Sequence, residues 1–259
     1  MQPEVIHFDG GHARAMLFES REPGARSGVV VIHETWGLDE QLMRQCRHLA
    51  SLGHRVIAPD LLWMNEQIPE SVLIDASRKV YERVPRAEWR VPGRAHTALH
   101  DVDPVYREAV SEWLAHSLAG PTEQGHNALA ACVKRLRDWG CEKVALLGFC
   151  FGGAYVWACD AKPIGADAHV VFYGHPSVST EPGAPPILVH HGADDAHISL
   201  DAVERSIAHA RVVGVSASLE IYPGAGHAFM NDTRDTWLES AANTAWKRTE
   251  TFLRETFAT

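Results

Sequence analysis

Short apolar runs recur along the 259-residue chain, separated by longer segments in which apolar residues return every three or four positions. Continuous runs of apolar and β-branched residues are typical of strands that are covered on both faces. Six such runs predict strands, at 28–34, 54–60, 143–149, 168–174, 186–192 and 217–223. Helical periodicity predicts helices over 39–52, 72–84, 104–118, 122–138, 199–213 and 236–255. The alternation predicts an α/β protein with a mostly parallel central sheet and helices on both faces.

One interval breaks this alternation. About 80 residues separate the strand that ends near Asp60 from the strand that starts near Lys143, far more than a single crossover helix needs. The helix predicted over 104–118 has an apolar stripe that includes Trp113, which we expect to pack against the rest of the protein. We therefore interpret 1–259 as one domain with a helical insertion at about 61–122.

The composition is that of an ordinary soluble globular protein, with 46% hydrophobic and 22% charged residues. A net charge of −9 argues against a nucleic-acid surface, because phosphate binding needs clustered lysine and arginine. The N-terminus lacks the pattern of a signal peptide, and no apolar run approaches the roughly 18 residues of a membrane span. Five cysteines without a C-x-x-C pair suit a reducing compartment. We expect a cytoplasmic protein that binds neither nucleic acid nor a membrane.

The segment VALLGFCFGGAYV, at 144–156, places Cys150 between glycines at the end of a predicted strand. A strand, a sharp glycine-flanked turn and a helix form a nucleophile elbow, in which the nucleophile occupies a strained turn. The N-terminus of the following helix favours a thiolate there. We therefore interpret Cys150 as a nucleophile, in preference to a buried structural cysteine.

Two downstream loops supply the partners that such a nucleophile requires. ADDAHIS, after the strand at 186–192, contains Asp194 and Asp195, and GAGHAF, after the strand at 217–223, contains His227. Nucleophile, acid and histidine follow one another in the order of a catalytic triad on this kind of sheet. Both loops follow the carboxyl ends of strands, where open α/β sheets gather their sites.

A metal site is the competing interpretation of this region. The potential ligands are His190, His191, Asp194, Asp195 and His197. Adjacent strand residues point to opposite faces, however, and no spaced histidine pair accompanies them. We therefore predict no metal.

These motifs, with VIHETWGLDEQLMRQCRHLASLGHRVIAPDL at 31–61, resemble the dienelactone hydrolase family, a branch of the α/β-hydrolase fold with a Cys-Asp-His triad. The resemblance implies that Asp195 is the acid, and that Glu34 lies beside the thiol and takes part in its activation. The fold places one oxyanion donor at the backbone N–H of Phe151. By resemblance, the second donor is the backbone N–H of Thr35.

The chain departs from this family at a substrate-binding position. Dienelactone-cleaving members have a carboxylate-binding arginine four residues after the histidine, and this chain has Asn231 there. The arginines that could replace it are Arg234, Arg78, Arg83 and Arg94. Because asparagine cannot form the same charge-assisted fork, we expect neutral esters to be preferred over dienelactone. Trp36, Trp63 and Asn231 are expected to contact the substrate.

The sequence thus predicts a hydrolase of small esters or lactones that acts through a thioester, without cofactor or metal, as a monomer or homodimer. Two alternatives use the same cysteine. The first is acyl transfer to an acceptor other than water. The second is a binding or redox-sensing module in which Cys150 is oxidised.

Overall fold

An eight-stranded sheet runs through the computed structural model, which describes residues 1–62, 70–84, 88, 91, 94–177 and 179–258. Its strands are β1 (Gln2–Phe8), β2 (Gly11–Phe18), β3 (Ser27–Ile32), β4 (Arg55–Pro59), β5 (Lys143–Phe149), β6 (Ala168–Phe172), β7 (Ile187–Gly192) and β8 (Ala217–Tyr222). The order across the sheet is β1-β2-β4-β3-β5-β6-β7-β8. β3 to β8 pair in parallel, which confirms the predicted α/β class.

The remaining two strands form an antiparallel hairpin that pairs with β4. This hairpin lies outside the six predicted strands, because residues in β2 alternate between buried and partly exposed instead of forming a continuous apolar run. Its two-residue loop, Asp9-Gly10, is the local signal that predicts a hairpin, and Gly10 has the positive φ that such a turn requires.

Helices lie between most of the strands and close to the predicted ranges. They are α1 (Glu40–Ser51), α2 (Glu70–Arg83), α3 (Arg94–Thr97), α4 (Arg107–Ala119), α5 (Glu123–Asp138), α6 (Phe151–Ala161), α7 (Leu200–Val212) and α8 (Glu239–Phe257). The Asp39 side chain caps α1 by accepting a hydrogen bond from the Leu42 N–H, at 2.9 Å. None of the described helices combines the length and the apolar character that a membrane-spanning segment needs.

The two faces of the sheet bury two apolar clusters. Successive strand residues point to opposite faces, so Val29 and Val31 pack with α1 and α8. Val30 and Ile32 pack on the other face with α4, α5, α6 and α7. Because both faces are covered there, β3 to β7 are buried along nearly their whole length, whereas β1, β2 and β8 keep partly exposed positions.

Candidate active site

The carboxyl ends of four parallel strands bring the predicted site residues to one edge of the sheet. Glu34 and Thr35 follow β3, Cys150 follows β5, Asp195 follows β7 and His227 follows β8. These positions are far apart in sequence, and parallel pairing is what makes them neighbours.

Cys150 occupies a tight turn between β5 and α6, with φ of 49°. This left-handed conformation costs a non-glycine residue about 1–3 kcal/mol, so the surroundings must hold it in place. The Cys150 N–H donates to Phe172 O at 2.9 Å, and the Cys150 carbonyl accepts from Ala154 N at 3.1 Å. A Cβ at Gly148 would lie 2.2 Å from the carbonyl oxygen of Gly152. The turn therefore closes only with glycine at that position.

Cys150, His227 and Asp195 form a continuous chain of polar contacts. The Cys150 Sγ lies 3.1 Å from His227 Nε2, and His227 Nδ1 lies 2.8 Å from Asp195 Oδ2. The other oxygen of Asp195 accepts the backbone N–H groups of His197 and Ile198, at 2.8 and 3.0 Å. The Asp195 carboxylate is inaccessible to solvent, whereas 13% of the His227 side-chain surface is exposed. The acid is thus held rigidly, and the imidazole faces the thiol.

The contacts within this group shift the pKa values of His227 and Asp195 in opposite directions. Burial alone would lower the pKa of His227, but the Cys150 sulfur and the Asp195 carboxylate raise it to about 10. Burial would raise the pKa of Asp195, and the hydrogen bonds from His227, His197 and Ile198 outweigh it and lower that pKa. The arrangement therefore favours the protonated form of the His227 imidazole at neutral pH.

Glu34 makes its hydrogen bonds away from the thiol. Its Oε1 accepts from the Tyr173 hydroxyl at 2.9 Å, and its Oε2 accepts from Asn231 Nδ2 at 3.0 Å. No hydrogen bond joins Glu34 to Cys150 in the described part of the chain. Burial, and then the charge of Asp39, raise the pKa of Glu34. The carboxyl group thus links the ends of β3 and β6 to the loop that carries His227.

The two backbone donors expected for an oxyanion both border the same cavity as Cys150. Phe151 is the first residue of α6, and N–H groups in a first helical turn have no intrahelical acceptor. The loop that contains Thr35 is held by Trp113, whose indole N–H donates to the Thr35 carbonyl at 3.2 Å. Trp113 is 1% exposed, so it packs α4 onto the protein, as expected, and also holds this loop.

A cavity of about 760 Å³ contains the Cys150–His227 pair and is large enough for a small organic substrate. Trp36 lies on its wall, and the guanidinium of Arg234, also on the wall, stacks 4.3 Å from the Trp36 ring centroid. Asn231 is only 1% exposed and bonds Glu34, so it does not line the cavity. The predicted contact of Trp63 lies outside the described residues.

The other candidate arginines have acidic partners and are not among the residues that line the cavity. Arg83 pairs with Asp101 at 3.2 Å, and Arg94 pairs with Glu88 at 2.9 Å. Arg78 Nη2 lies 3.6 Å from Asp39 Oδ2, and Arg78 Cζ lies 5.3 Å from the Trp36 ring centroid. Of the four arginines considered, Arg234 is the one on the cavity wall.

Two aromatic rings complete the surroundings of His227, those of Tyr173, which the sequence did not single out, and His197, which it named only as a potential metal ligand. The ring of Tyr173 packs edge-on against the His227 imidazole, with 5.2 Å between the ring centroids. The ring of His197 does the same, with 4.8 Å between the centroids. Tyr173 and Ala228 also have positive φ values, 42° and 61°. Together with Cys150 they are the non-glycine residues with positive φ in the described chain, and all three lie at this site. Positive φ leaves no clear trace in a sequence at non-glycine positions.

The histidines of the competing metal interpretation point in different directions. Both ring nitrogens of His190 have hydroxyl partners, Tyr222 at 2.8 Å and Thr249 at 2.9 Å. Burial lowers the pKa of His190 to about 3. His190 therefore joins β7 to β8 and α8 on the face of the sheet that α8 covers.

The parallel sheet with helices on both faces, and the tight strand-to-helix turn that presents Cys150 at its carboxyl edge, are those of the α/β-hydrolase fold. The sequence profile of the dienelactone hydrolase family matches residues 13–257, and the chain belongs to that family. This membership confirms the predicted type of enzyme, an ester or lactone hydrolase.

Individual relatives are similar over nearly the whole chain. A Saccharolobus solfataricus protein named "Putative carboxymethylenebutenolidase" is 29% identical over 262 residues, covering 98% of each chain. A dienelactone hydrolase-like promiscuous phosphotriesterase from metagenomic libraries has a TM-score of 0.66 at 22% identity, covering 98% of each chain. Esterase 2 of Thermogutta terrifontis, in its apo form, has a TM-score of 0.61 at 15% identity, covering 98% of this chain and 94% of that one. At such identities the two solved structures establish the fold.

Proposed function

We propose that the protein hydrolyses a small carboxylic ester or lactone through a thioester on Cys150. The observation that carries the proposal is the chain of contacts from Cys150 Sγ to His227 Nε2, and from His227 Nδ1 to Asp195, beside a cavity of substrate size. A nucleophile, a base and an orienting acid within hydrogen-bond reach are the components of covalent acyl transfer.

Acylation begins with the thiol proton on His227 Nε2. The thiolate attacks the carbonyl carbon, and the carbonyl π electrons move to oxygen, where the N–H groups of Phe151 and Thr35 stabilise the charge. Collapse of this intermediate breaks the carbon–oxygen bond of the ester. The alkoxide takes the proton from His227 and leaves as an alcohol, and the acyl group remains on Cys150 as a thioester.

Water completes the cycle. His227, now neutral, takes a proton from a water molecule that attacks the thioester carbonyl, and the same two N–H groups hold the second oxyanion. The thiolate leaves, the carboxylic acid is released, and Cys150 and His227 return to their starting state. Asp195 keeps Nδ1 of the imidazole protonated in both halves of the reaction.

The environment of Glu34 supports a positioning role. Its carboxylate accepts hydrogen bonds from Tyr173, which contacts the His227 ring, and from Asn231, which follows His227 in the same loop. We therefore expect Glu34 to hold the base in place. Activation of the thiol by direct contact, which the family resemblance implies, would be an additional contact beside these two hydrogen bonds.

The substrate is proposed to be a neutral ester in preference to dienelactone. Asn231 stands at the family's arginine position and is occupied by Glu34, so it offers the substrate carboxylate no cation. The ratio of kcat/KM for a neutral p-nitrophenyl ester to that for dienelactone measures this directly. A clear preference for dienelactone, lost in Arg234→Gln, would show instead that Arg234 binds the carboxylate.

Trapping the acyl-enzyme tests the central step. The protein is mixed rapidly with a p-nitrophenyl ester, quenched in acid and analysed by peptide mass spectrometry, with Cys150→Ala as the matched control. We expect the mass of one acyl group on the peptide that contains Cys150 and none in the control. Hydrolysis that persists unchanged in Cys150→Ala would overturn the proposal. Turnover that depends on an added alcohol or amine would favour acyl transfer.

A further inference from the structure

The cavity does not end at the reacting atoms but continues along the outer side of α6. Three residues of α6 are partly exposed, Ala154, Ala158 and Ala161, and all three line the cavity. The other eight residues of this helix are buried. The outward side of α6 is therefore the floor of a groove that starts at Cys150.

The spacing of the alanines gives this floor its length. Positions 154, 158 and 161 follow one another by four and three residues, so they form one stripe along the helix. Seven residues at the helical rise span about 10 Å. Solvent-facing positions of a helix ordinarily carry long polar side chains, and here the three short side chains leave that volume empty.

The walls of the groove are largely apolar near its floor. Leu118, near the end of α4, and Pro121, in the connection between α4 and α5, line the cavity, as does the buried Ile198. The loop after β6 contributes Pro176 and, as polar groups, His175, Ser177 and Ser179. A long floor of alanines between apolar walls suits an extended apolar group better than a charged one.

We propose that this groove binds the acyl chain of the substrate, and that the preferred esters carry an unbranched acyl group of about six to eight carbons, which matches the groove's length of about 10 Å. The inference rests on the proposed function, since it places the acyl carbon on Cys150. His227 must protonate the departing alcohol, so the alcohol lies against the imidazole, and the space along α6 is left to the acyl group.

A chain-length series tests the proposal. kcat/KM is measured for p-nitrophenyl esters from acetate to laurate with the wild-type protein. Burial of each further methylene is expected to raise kcat/KM about fourfold until the groove is filled, after which the values level off or fall.

Substitutions along the stripe of alanines test whether the acyl chain of the substrate lies in the groove. Ala154→Leu, Ala158→Leu and Ala161→Leu each obstruct the groove at an increasing distance from Cys150, and leucine is a good helix former. We expect the optimum to shorten most in Ala154→Leu, less in Ala158→Leu and least in Ala161→Leu. The ratio of octanoate to acetate kcat/KM should fall at least tenfold in Ala158→Leu. Ala208→Leu, at an exposed position of α7 outside the cavity, is the matched control and should keep the wild-type ratio.

Results that would contradict the acyl-groove proposal can be distinguished from results that would contradict the proposed function. Cys150-dependent hydrolysis that is fastest with acetate, or that favours p-nitrophenyl benzoate over hexanoate, would overturn the inference and leave the proposed function intact. The same would follow if the three leucine variants slowed all chain lengths equally, since that indicates a structural effect. Absence of any Cys150-dependent hydrolysis would contradict the proposed function itself.

Discussion

A cysteine–histidine pair lies near each end of helix α6, and the two pairs differ in distance, burial and neighbouring charges. At its N-terminus, Cys150 Sγ lies 3.1 Å from His227 Nε2, and Asp195 holds the other imidazole nitrogen. Near its C-terminus, Cys159 Sγ lies 3.8 Å from His126 Nδ1, inside the protein.

The surroundings of the second pair suppress ionisation. Burial, and then the negative charge of Asp160, raise the pKa of Cys159 to about 12. Burial, and then the positive charge of Lys162, lower the pKa of His126. A thiol that stays protonated beside an imidazole that stays neutral has no tendency to form an ion pair.

The comparison shows that proximity of a cysteine and a histidine does not by itself create surroundings that favour an ion pair. The first pair has a carboxylate behind the imidazole, access to a cavity and the N-terminal end of a helix dipole. Among the described residues, no carboxylate hydrogen-bonds to His126, and Cys159 is fully buried, toward the negative end of the same helix and next to Asp160. The following experiments probe that difference, in order of decreasing expected effect.

Removal of each sulfur is the strongest comparison. Cys150→Ala should lower ester kcat/KM by about 10⁴-fold or more, because the nucleophile and the base act as a unit. Cys159→Ala should keep kcat/KM near the wild-type value while lowering the free energy of unfolding by about 1 kcal/mol, through lost packing. Steady-state kinetics and urea denaturation measure the two quantities. Equal losses of activity would remove the distinction between the pairs.

The acid behind the first imidazole can be deleted without changing its shape. Asp195→Asn should lower kcat by about 10⁴-fold, since the wrong imidazole tautomer is then held toward the sulfur. Asp194→Asn is the matched control, because Asp194 is exposed and adjacent. If the control lost as much activity as Asp195→Asn, the assignment of the acid to position 195 would be wrong.

Alkylation compares the sulfurs directly. Of the five cysteines, Cys150 is the one that is not fully buried. A thiol with the pKa of about 12 given for Cys159 is ionised in roughly one molecule in 10⁵ at pH 7. Brief treatment with iodoacetamide at neutral pH, followed by peptide mass spectrometry, should label Cys150 alone. Earlier labelling of Cys46 or Cys132 would contradict the nucleophile assignment.

The pKa values of His227 and His126 should be shifted in opposite directions from that of a free histidine. His227, with its pKa raised to about 10, should remain protonated through neutral pH and lose its proton only as the pH rises through that value. His126, with a lowered pKa, should be neutral at pH 7. NMR of ring-labelled histidine reports both. In Cys150→Ala the pKa of His227 should fall, because the sulfur charge is removed, while His126 stays unchanged. A wild-type His227 that is neutral at pH 7 would show that no ion pair forms.

Local pattern was sufficient to predict a large part of this molecule. Apolar runs marked the six parallel strands. Five of them, β3 to β7, are buried along nearly their whole length because both faces are covered, and β8, at the sheet edge, is buried only at its two ends. The glycines around Cys150 marked the turn, because two backbone segments pass there at a distance that no Cβ allows. The order of Cys150, Asp195 and His227 followed from strand ends that parallel pairing must bring to one edge.

Contacts between distant segments were decided by the tertiary structure alone. The bonds from Glu34 to Tyr173 and Asn231 join three strand ends, and no local pattern distinguishes them from a contact between Glu34 and the thiol. The alanines at 154, 158 and 161 read in sequence as part of a uniformly apolar helix. Their exposure depends on which side of α6 the sheet and α5 cover. Sequence spacing determines which residues share a helix face or a strand end, whereas packing between elements determines which faces meet and which remain open to a substrate.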